Sequence, residues 1–159
     1  MDHGREITSL VFTYAERIDA GDFAGVGALF ARGRIVLDPA NRDADVAGAA
    51  RVERLYAATT RRYPDGTPRT HHVTTNVRVD VDPGEQTATA SSYFTVLQAI
   101  PEDGLALGPI VTGTYHDRFV RHDDGWWFDE RRITLRHVGD VSHHLLIPLA
   151  PASAAAPSP

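Results

Sequence analysis

At residue 70 the spacing of apolar side chains changes from helical to strictly alternating, and this one switch governs what the chain can fold into. Before it, Ile7, Leu10, Val11, Tyr14, Ala15 and Ile18 recur at helical intervals and predict an amphipathic helix over 5–19. Ala20-Gly21 ends that helix, and Asp22 is placed to cap a short second one running through Phe30. A short strand over 34–37 stops at Asp38-Pro39, and 40–46 reads as a polar loop. A third helix is expected over 47–62, with Val52, Leu55 and Tyr56 inward and Arg51, Arg54, Arg61 and Arg62 outward. After the switch, Val73, Val77, Val79 and Val81 alternate with polar residues. Strands follow over 70–81, 86–100, 110–122 and 126–138, with turns at Asp82-Pro83-Gly84 and Asp123-Asp124-Gly125 and a loop over 101–109. The apolar stretch 141–149 is a candidate edge strand that completes a single domain over 1–149. The Ala, Pro and Ser of 150–159 read as a disordered tail.

Helices first and long antiparallel strands afterwards make an α+β pattern, with three helices packed on one face of a curved sheet. Such a sheet closed by helices encloses a cone, and interiors of that kind are common ligand sites.

Composition narrows the chemistry. In 159 residues there is no cysteine, which excludes thiolate nucleophiles, iron–sulfur clusters, cysteine zinc sites and disulfides. There is no lysine either, since all 16 basic residues are arginine; Schiff-base and Walker-type lysines are excluded. A net charge of −5 with no arginine run longer than a pair argues against nucleic acid as a partner. No apolar stretch approaches the roughly 20 residues of a membrane span. The start, Met-Asp-His-Gly-Arg-Glu, lacks the apolar core of a signal peptide, so a cytoplasmic protein is expected. An open sheet leaves a broad face to cover, from which a homo-oligomer is expected. Catalysis, if present, must come from His, Asp or Glu, Tyr, Ser or Thr, and Arg.

Taken alone, few residues declare a role. Asp19 closes the first helix, where a carboxylate is electrostatically unfavourable, and reads most simply as a solvent-facing polar residue. His71 and His72 are adjacent on a strand and point to opposite faces, so they cannot chelate one metal, but either could serve as a general base near neutral pH. By strict alternation His72 shares parity with Thr74, Asn76, Arg78 and Asp80 rather than with the valines. Either the polar parity lines the mouth of the cone, or a bulge shifts the register. Tyr14 and Tyr56 lie on apolar helix stripes, Tyr93 lies mid-strand, and Thr114 and His116 share a strand face. His143-His144 lacks a nearby carboxylate and is a weak metal signal, and Gly104-Leu105-Ala106-Leu107-Gly108 lacks the spacing of a phosphate loop.

Together, Tyr-Ala-Glu-Arg-Ile-Asp-Ala-Gly-Asp-Phe (14–23), Ala-Leu-Phe (28–30), Arg-Thr-His-His-Val-Thr-Thr-Asn (69–76), Gly-Thr-Tyr-His-Asp-Arg-Phe (113–119) and Asp-Asp-Gly-Trp-Trp (123–127) resemble the SnoaL-like, scytalone dehydratase-like part of the nuclear transport factor 2-like superfamily. The resemblance covers about residues 5–138 and implies a cone-shaped fold. It places Asp19 and His72 on the supporting aspartate and catalytic histidine of the dehydratases. A second pocket histidine falls on Tyr93, a Ser and Asn pair falls on Thr114 and His116, and a tyrosine beside the aspartate is replaced by Ile18. It implies a catalytic His72 with Asp19, and Tyr93, Thr114 and His116 as substrate-binding residues; Tyr14 and Tyr56, on their helix stripes, are further substrate-binding candidates, and no metal and no cofactor are expected. The implied activity is that of a cofactor-independent dehydratase or other lyase acting on a small hydrophobic or polycyclic substrate. Alternatives within the superfamily are a polyketide cyclase or isomerase using the same base, and a non-catalytic ligand-binding protein or dioxygenase small-subunit-like scaffold.

Overall fold

The structure, a computed structural model, describes residues 2–37 and 40–148, without the side chain of Arg42. The expected tail over 150–159 and the Asp38-Pro39 strand stop lie outside the described residues.

Helix α1 (His3–Asp19) begins two residues earlier than its apolar stripe suggests, because the Asp2 carboxylate accepts from the Arg5 N–H at 3.0 Å and caps it. Ile7, Val11, Tyr14, Ala15 and Ile18 form its buried face. The chain leaves α1 through Gly21, whose φ of +71° and close approach to the Gly66 carbonyl leave no room for a Cβ. Asp22 then caps α2 (Phe23–Leu29) by accepting from the Gly25 N–H at 2.8 Å, as its position predicts. Helix α3 (Ala49–Thr59) is shorter than the expected 47–62. Val46 and Ala47 are drawn into β2 (Val46–Ala47), paired with β1 (Arg34–Val36), and at the other end Thr60 turns extended and bridges to Leu145.

The long strands are β3 (Thr70–Val81), β4 (Thr87–Ile100), β5 (Leu105–His122) and β6 (Gly125–Val138). With β1 and β2 they form one mixed, curved sheet in the order β2-β1-β6-β5-β4-β3, antiparallel throughout except where β1 runs parallel to β6. Two expectations are corrected here. The loop predicted over 101–109 is a single 3-10 turn (Pro101–Asp103) followed directly by β5, because Leu105, Gly108 and Pro109 find partners on β4. Pro109 is tolerated beyond the last β6 pairing, Val111 with Val138, where β5 is an edge. The stretch 141–149 is not an edge strand. As far as it is described, to Pro148, it is a turn that hydrogen-bonds to the end of α3, with Arg61 N–H donating to the His144 carbonyl at 2.8 Å and Leu146 N–H to the Thr59 carbonyl at 2.9 Å.

A bulge in β3 decides which side chains enter the cone. Between Thr75 and Arg78 the strand advances three residues while β4 advances two. Asn76 takes up the surplus at φ +54°, a left-handed conformation that Asn tolerates. His72 therefore faces inward before the bulge, and Val79 and Val81 reach the core after it. Of the two readings left open by alternation, the bulge reconciles the polar parity at the head of the strand with the valines at its end.

The core lies between sheet and helices. Phe94 stacks on Tyr115 with ring centroids 4.3 Å apart, and Gly113 provides the space for that ring. Arg131, fully buried, lies under Tyr14 at 4.0 Å and Tyr115 at 4.1 Å, and its guanidinium donates to both Asp117 oxygens at 2.8 and 2.6 Å. A buried pair with bidentate geometry of this kind fixes the orientation of the rings stacked on it.

Candidate active site

Asp19 and His72 arrive from distant parts of the chain because α1 packs along β3. Gly21 stops α1 just after the carboxylate, and the head of β3 passes beside it. The contact is double: the His72 Nδ1 lies 2.6 Å from Asp19 Oδ1, and the His72 backbone N–H donates to Oδ2 at 2.7 Å. The Thr70 hydroxyl donates to Oδ1 at 2.8 Å. A carboxylate at a helix C-terminus is opposed by the helix dipole, and these three donors compensate it. Burial alone would raise the Asp19 carboxyl, but the hydrogen bonds and charge of His72, with Thr70, bring it below its ordinary value. With Nδ1 committed to Asp19, the tautomer is set and Nε2, which has no hydrogen-bond partner among the described residues, carries the lone pair.

His72 lines a cavity of about 350 Å³ whose walls are largely apolar, including Ile18, Leu55, Val96, Val111 and Ile133. Polar groups enter it at few points. Tyr14 and Tyr56 join through a hydrogen bond between their hydroxyls, and Tyr115 stands beside Tyr14 with ring centroids 5.7 Å apart. Burial raises all three phenols above their ordinary value, against the lowering pull of the Arg131 charge, so they stay protonated and able to donate. His144 is the second imidazole of the cavity. Burial, and then the nearby His72, push it down to about 4, with Asp19 pulling the other way, so it is neutral near pH 7.

The structure thus brings His72, Tyr14 and Tyr56 to one cavity, with Asp19 bonded to His72, and it separates the other three sequence-derived candidates from them. Tyr93 is 56% exposed and sits opposite Thr114 in register, on the face of the sheet away from the cavity. His116, also exposed, lies on that outer face in a polar depression with Asp80, Arg118 and Arg132. The physical reason is alternation: in β4 the even residues Ser92, Phe94 and Val96 are buried, and in β5 the odd residues Val111, Tyr115 and Phe119 are. Phe94 and Tyr115 stand where Tyr93, Thr114 and His116 are expected. Strand parity, extended from Val111 through Phe119, carries the signal for Tyr115. For His144 only the paired histidines at 143–144 hint at a site, and nothing local directs them to this cavity. His71 is exposed, and among the described residues no three His, Asp or Glu side chains are placed to hold a metal ion. No helix among them is long and apolar enough to cross a membrane.

Comparison with known proteins bears on the fold and the family. No curated protein matches the chain in sequence. Among solved structures, an NTF2-like protein with a cystatin-like fold from Novosphingobium aromaticivorans superimposes with a TM-score of 0.67 at 20% identity, over 84% of this chain and 82% of that one. A protein from the same organism provisionally designated scytalone dehydratase gives 0.64 at 20% identity, over 86% and 85%. ActVI-ORFA from Streptomyces coelicolor gives 0.64 at 22% identity, over 84% and 97%. At these identities the likeness speaks for the fold. The sequence profile of the SnoaL-like domain matches residues 2–132, from the cap of α1 to the last strand, and the chain belongs to the SnoaL-like family.

Proposed function

We propose that the protein is a cofactor-independent general acid/base enzyme, a dehydratase acting on a small hydrophobic or polycyclic carbonyl compound. The observation that carries this reading is the double contact of Asp19 with His72 at the wall of an apolar cavity. A base so oriented, beside phenols that donate, suits removal of a proton next to a carbonyl. A structural neighbour provisionally designated scytalone dehydratase is consistent with it.

In this mechanism His72 Nε2 takes the proton from the carbon alpha to the carbonyl, and Asp19 stabilises the imidazolium that forms. The electron pair moves onto the carbonyl oxygen, where the Tyr14–Tyr56 hydroxyls hold the enolate. As the pair returns, the bond from the beta carbon to its hydroxyl breaks. The departing oxygen takes the proton from Nε2, and water leaves with no change of redox state. Isomerisation or cyclisation would use the same base and keep all atoms of the substrate.

The test is turnover of one- to three-ring β-hydroxy ketones, with product mass recorded. Loss of water is expected, falling by about 10²–10⁴-fold in His72→Ala. A product of unchanged mass would replace dehydration with isomerisation or cyclisation. Turnover within a few-fold of wild type in folded His72→Ala would overturn the mechanism.

A further inference from the structure

The segment that follows the sheet brings His144 over the cavity, and its placement is built rather than incidental. Its own carbonyl accepts from Arg61 N–H at 2.8 Å. The neighbouring His143 carbonyl accepts from the Tyr63 hydroxyl at 2.7 Å and from the amide of Gln98, itself 1% exposed, at 3.2 Å. Leu146 N–H donates to the Thr59 carbonyl at 2.9 Å, and Leu145 bridges Thr60. The backbone on both sides of His144 is thereby pinned to the end of α3, to the chain beyond it and to β4. A backbone held this firmly fixes where the side chain it carries can reach.

What is pinned there is a bare imidazole. His144 is 7% exposed, and its Nδ1 is sealed from solvent without a hydrogen-bond partner among the described residues. Nε2 has no protein partner among them either, but it is not sealed, and the residue lines the cavity that holds His72. A hydrophobic side chain would close the cavity at lower cost, so the polar one calls for an explanation. The tautomer follows from the same accounting. A proton on Nδ1 would bury an N–H with no acceptor, which native proteins rarely tolerate, whereas a proton on Nε2 leaves a lone pair enclosed and turns the donor toward the cavity. His72 is oriented in the opposite sense, with its N–H spent on Asp19 and its lone pair free.

We propose that His144 is a substrate-binding residue that donates a hydrogen bond from Nε2 to a second oxygen of the ligand, so that the ligand class is narrowed to compact aromatic or polycyclic molecules bearing at least two oxygen functions. One oxygen meets the Tyr14–Tyr56 hydroxyls, the other His144. This rests on the cavity being the site proposed above, and it adds a requirement that His72 chemistry does not impose. A monofunctional aromatic of the same size fills the apolar walls but leaves the His144 N–H without its acceptor. Sites that hydrogen-bond a substrate oxygen discriminate strongly against analogues lacking it.

The test uses unreactive probes, so that binding is read without turnover. 2-Naphthol and 2,7-naphthalenediol are titrated into the full-length protein by calorimetry. Wild type should prefer the diol by roughly 10-fold, one hydrogen bond's worth. His144→Leu should abolish the preference while leaving 2-naphthol affinity within about two-fold, and His144→Gln, which keeps a donor, should retain part of it. His72→Ala should keep the preference, so failure of the base mechanism and failure of this inference are separate outcomes. Independently of any variant's folding, ¹⁵N chemical shifts of the histidine rings should show His144 protonated at Nε2. An unaltered preference in folded His144→Leu, or a wild-type ring protonated at Nδ1, would overturn the proposal.

Discussion

Asp19 holds His72 at two points, the ring through Oδ1 and the backbone through Oδ2, so a single carboxylate sets both the tautomer of the imidazole and the path of the strand that carries it. Removing the charge and removing the contact should therefore have different consequences. Asp19→Asn keeps the volume and one acceptor but no longer enforces the Nδ1–H tautomer. The expected result is a fall in kcat of about 10²-fold or more with little change in melting temperature. Asp19→Ala loses three hydrogen bonds, each with a net value of about 1 kcal/mol, and should lower stability by roughly 1–3 kcal/mol in urea unfolding as well as activity. Equal losses of stability in the two variants would contradict this division.

The tyrosine pair supplies the donors for a developing enolate. Because Tyr14 and Tyr56 bond to each other, each orients the other's hydroxyl. Tyr14→Phe and Tyr56→Phe should each reduce kcat by about 10²-fold, and the double variant should lose less than the product of the two, since one network is being broken twice. Tyr93→Phe, on the outer face at 56% exposure, should leave kcat and KM unchanged and serves as the control.

The bulge at Asn76 is what permits His72 and Val79 to face the same side. Asn76→Gly keeps φ at +54° without strain and should be close to neutral, while Asn76→Val, forced toward negative φ, should cost about 1–2 kcal/mol. If the register slips instead, activity falls further than stability, which kcat and denaturant midpoints measured together would reveal.

Acid should loosen the protein in two steps of the same sign. The unfolded chain protonates the His144 imidazole near its ordinary 6.5, and the folded protein refuses that proton until about 4. Between those values the unfolded state binds more protons, so stability falls as pH drops through that window. Asp19 acts lower: its folded carboxyl lies below 3.8, so its contribution is complete above that value and is lost only as pH falls beneath it. Comparing urea unfolding near pH 7 and near pH 5, wild type should lose about 2 kcal/mol more than His144→Phe, from the 1.36 kcal/mol carried by each pH step across the His144 window. An identical pH dependence in the two proteins would show that His144 is not held neutral.

The sequence alone determined the order and kind of the elements. The apolar stripe of α1, Asp22 as a cap, the turns Asp82-Pro83-Gly84 and Asp123-Asp124-Gly125 and the alternation beyond residue 70 are local signals, each readable because the forces behind it act over a few residues. The resemblance reached further and pointed to Asp19 and His72, which the folded chain sets in contact. What only the tertiary structure decided were the faces and the closures. Tyr93, Thr114 and His116 turn outward because parity is set by pairing with neighbouring strands, and a bulge of one residue reverses it. Pro109 joins a strand because β4 offers it a partner on one side while β5 is itself a free edge on the other, against its local reading as a loop. His144 enters the cavity because hydrogen bonds to the Arg61 N–H, the Thr59 carbonyl, the Tyr63 hydroxyl and the Gln98 amide, all far away in sequence, fold a turn back over the site. Such contacts join positions with no fixed spacing, so no periodicity along the chain encodes them.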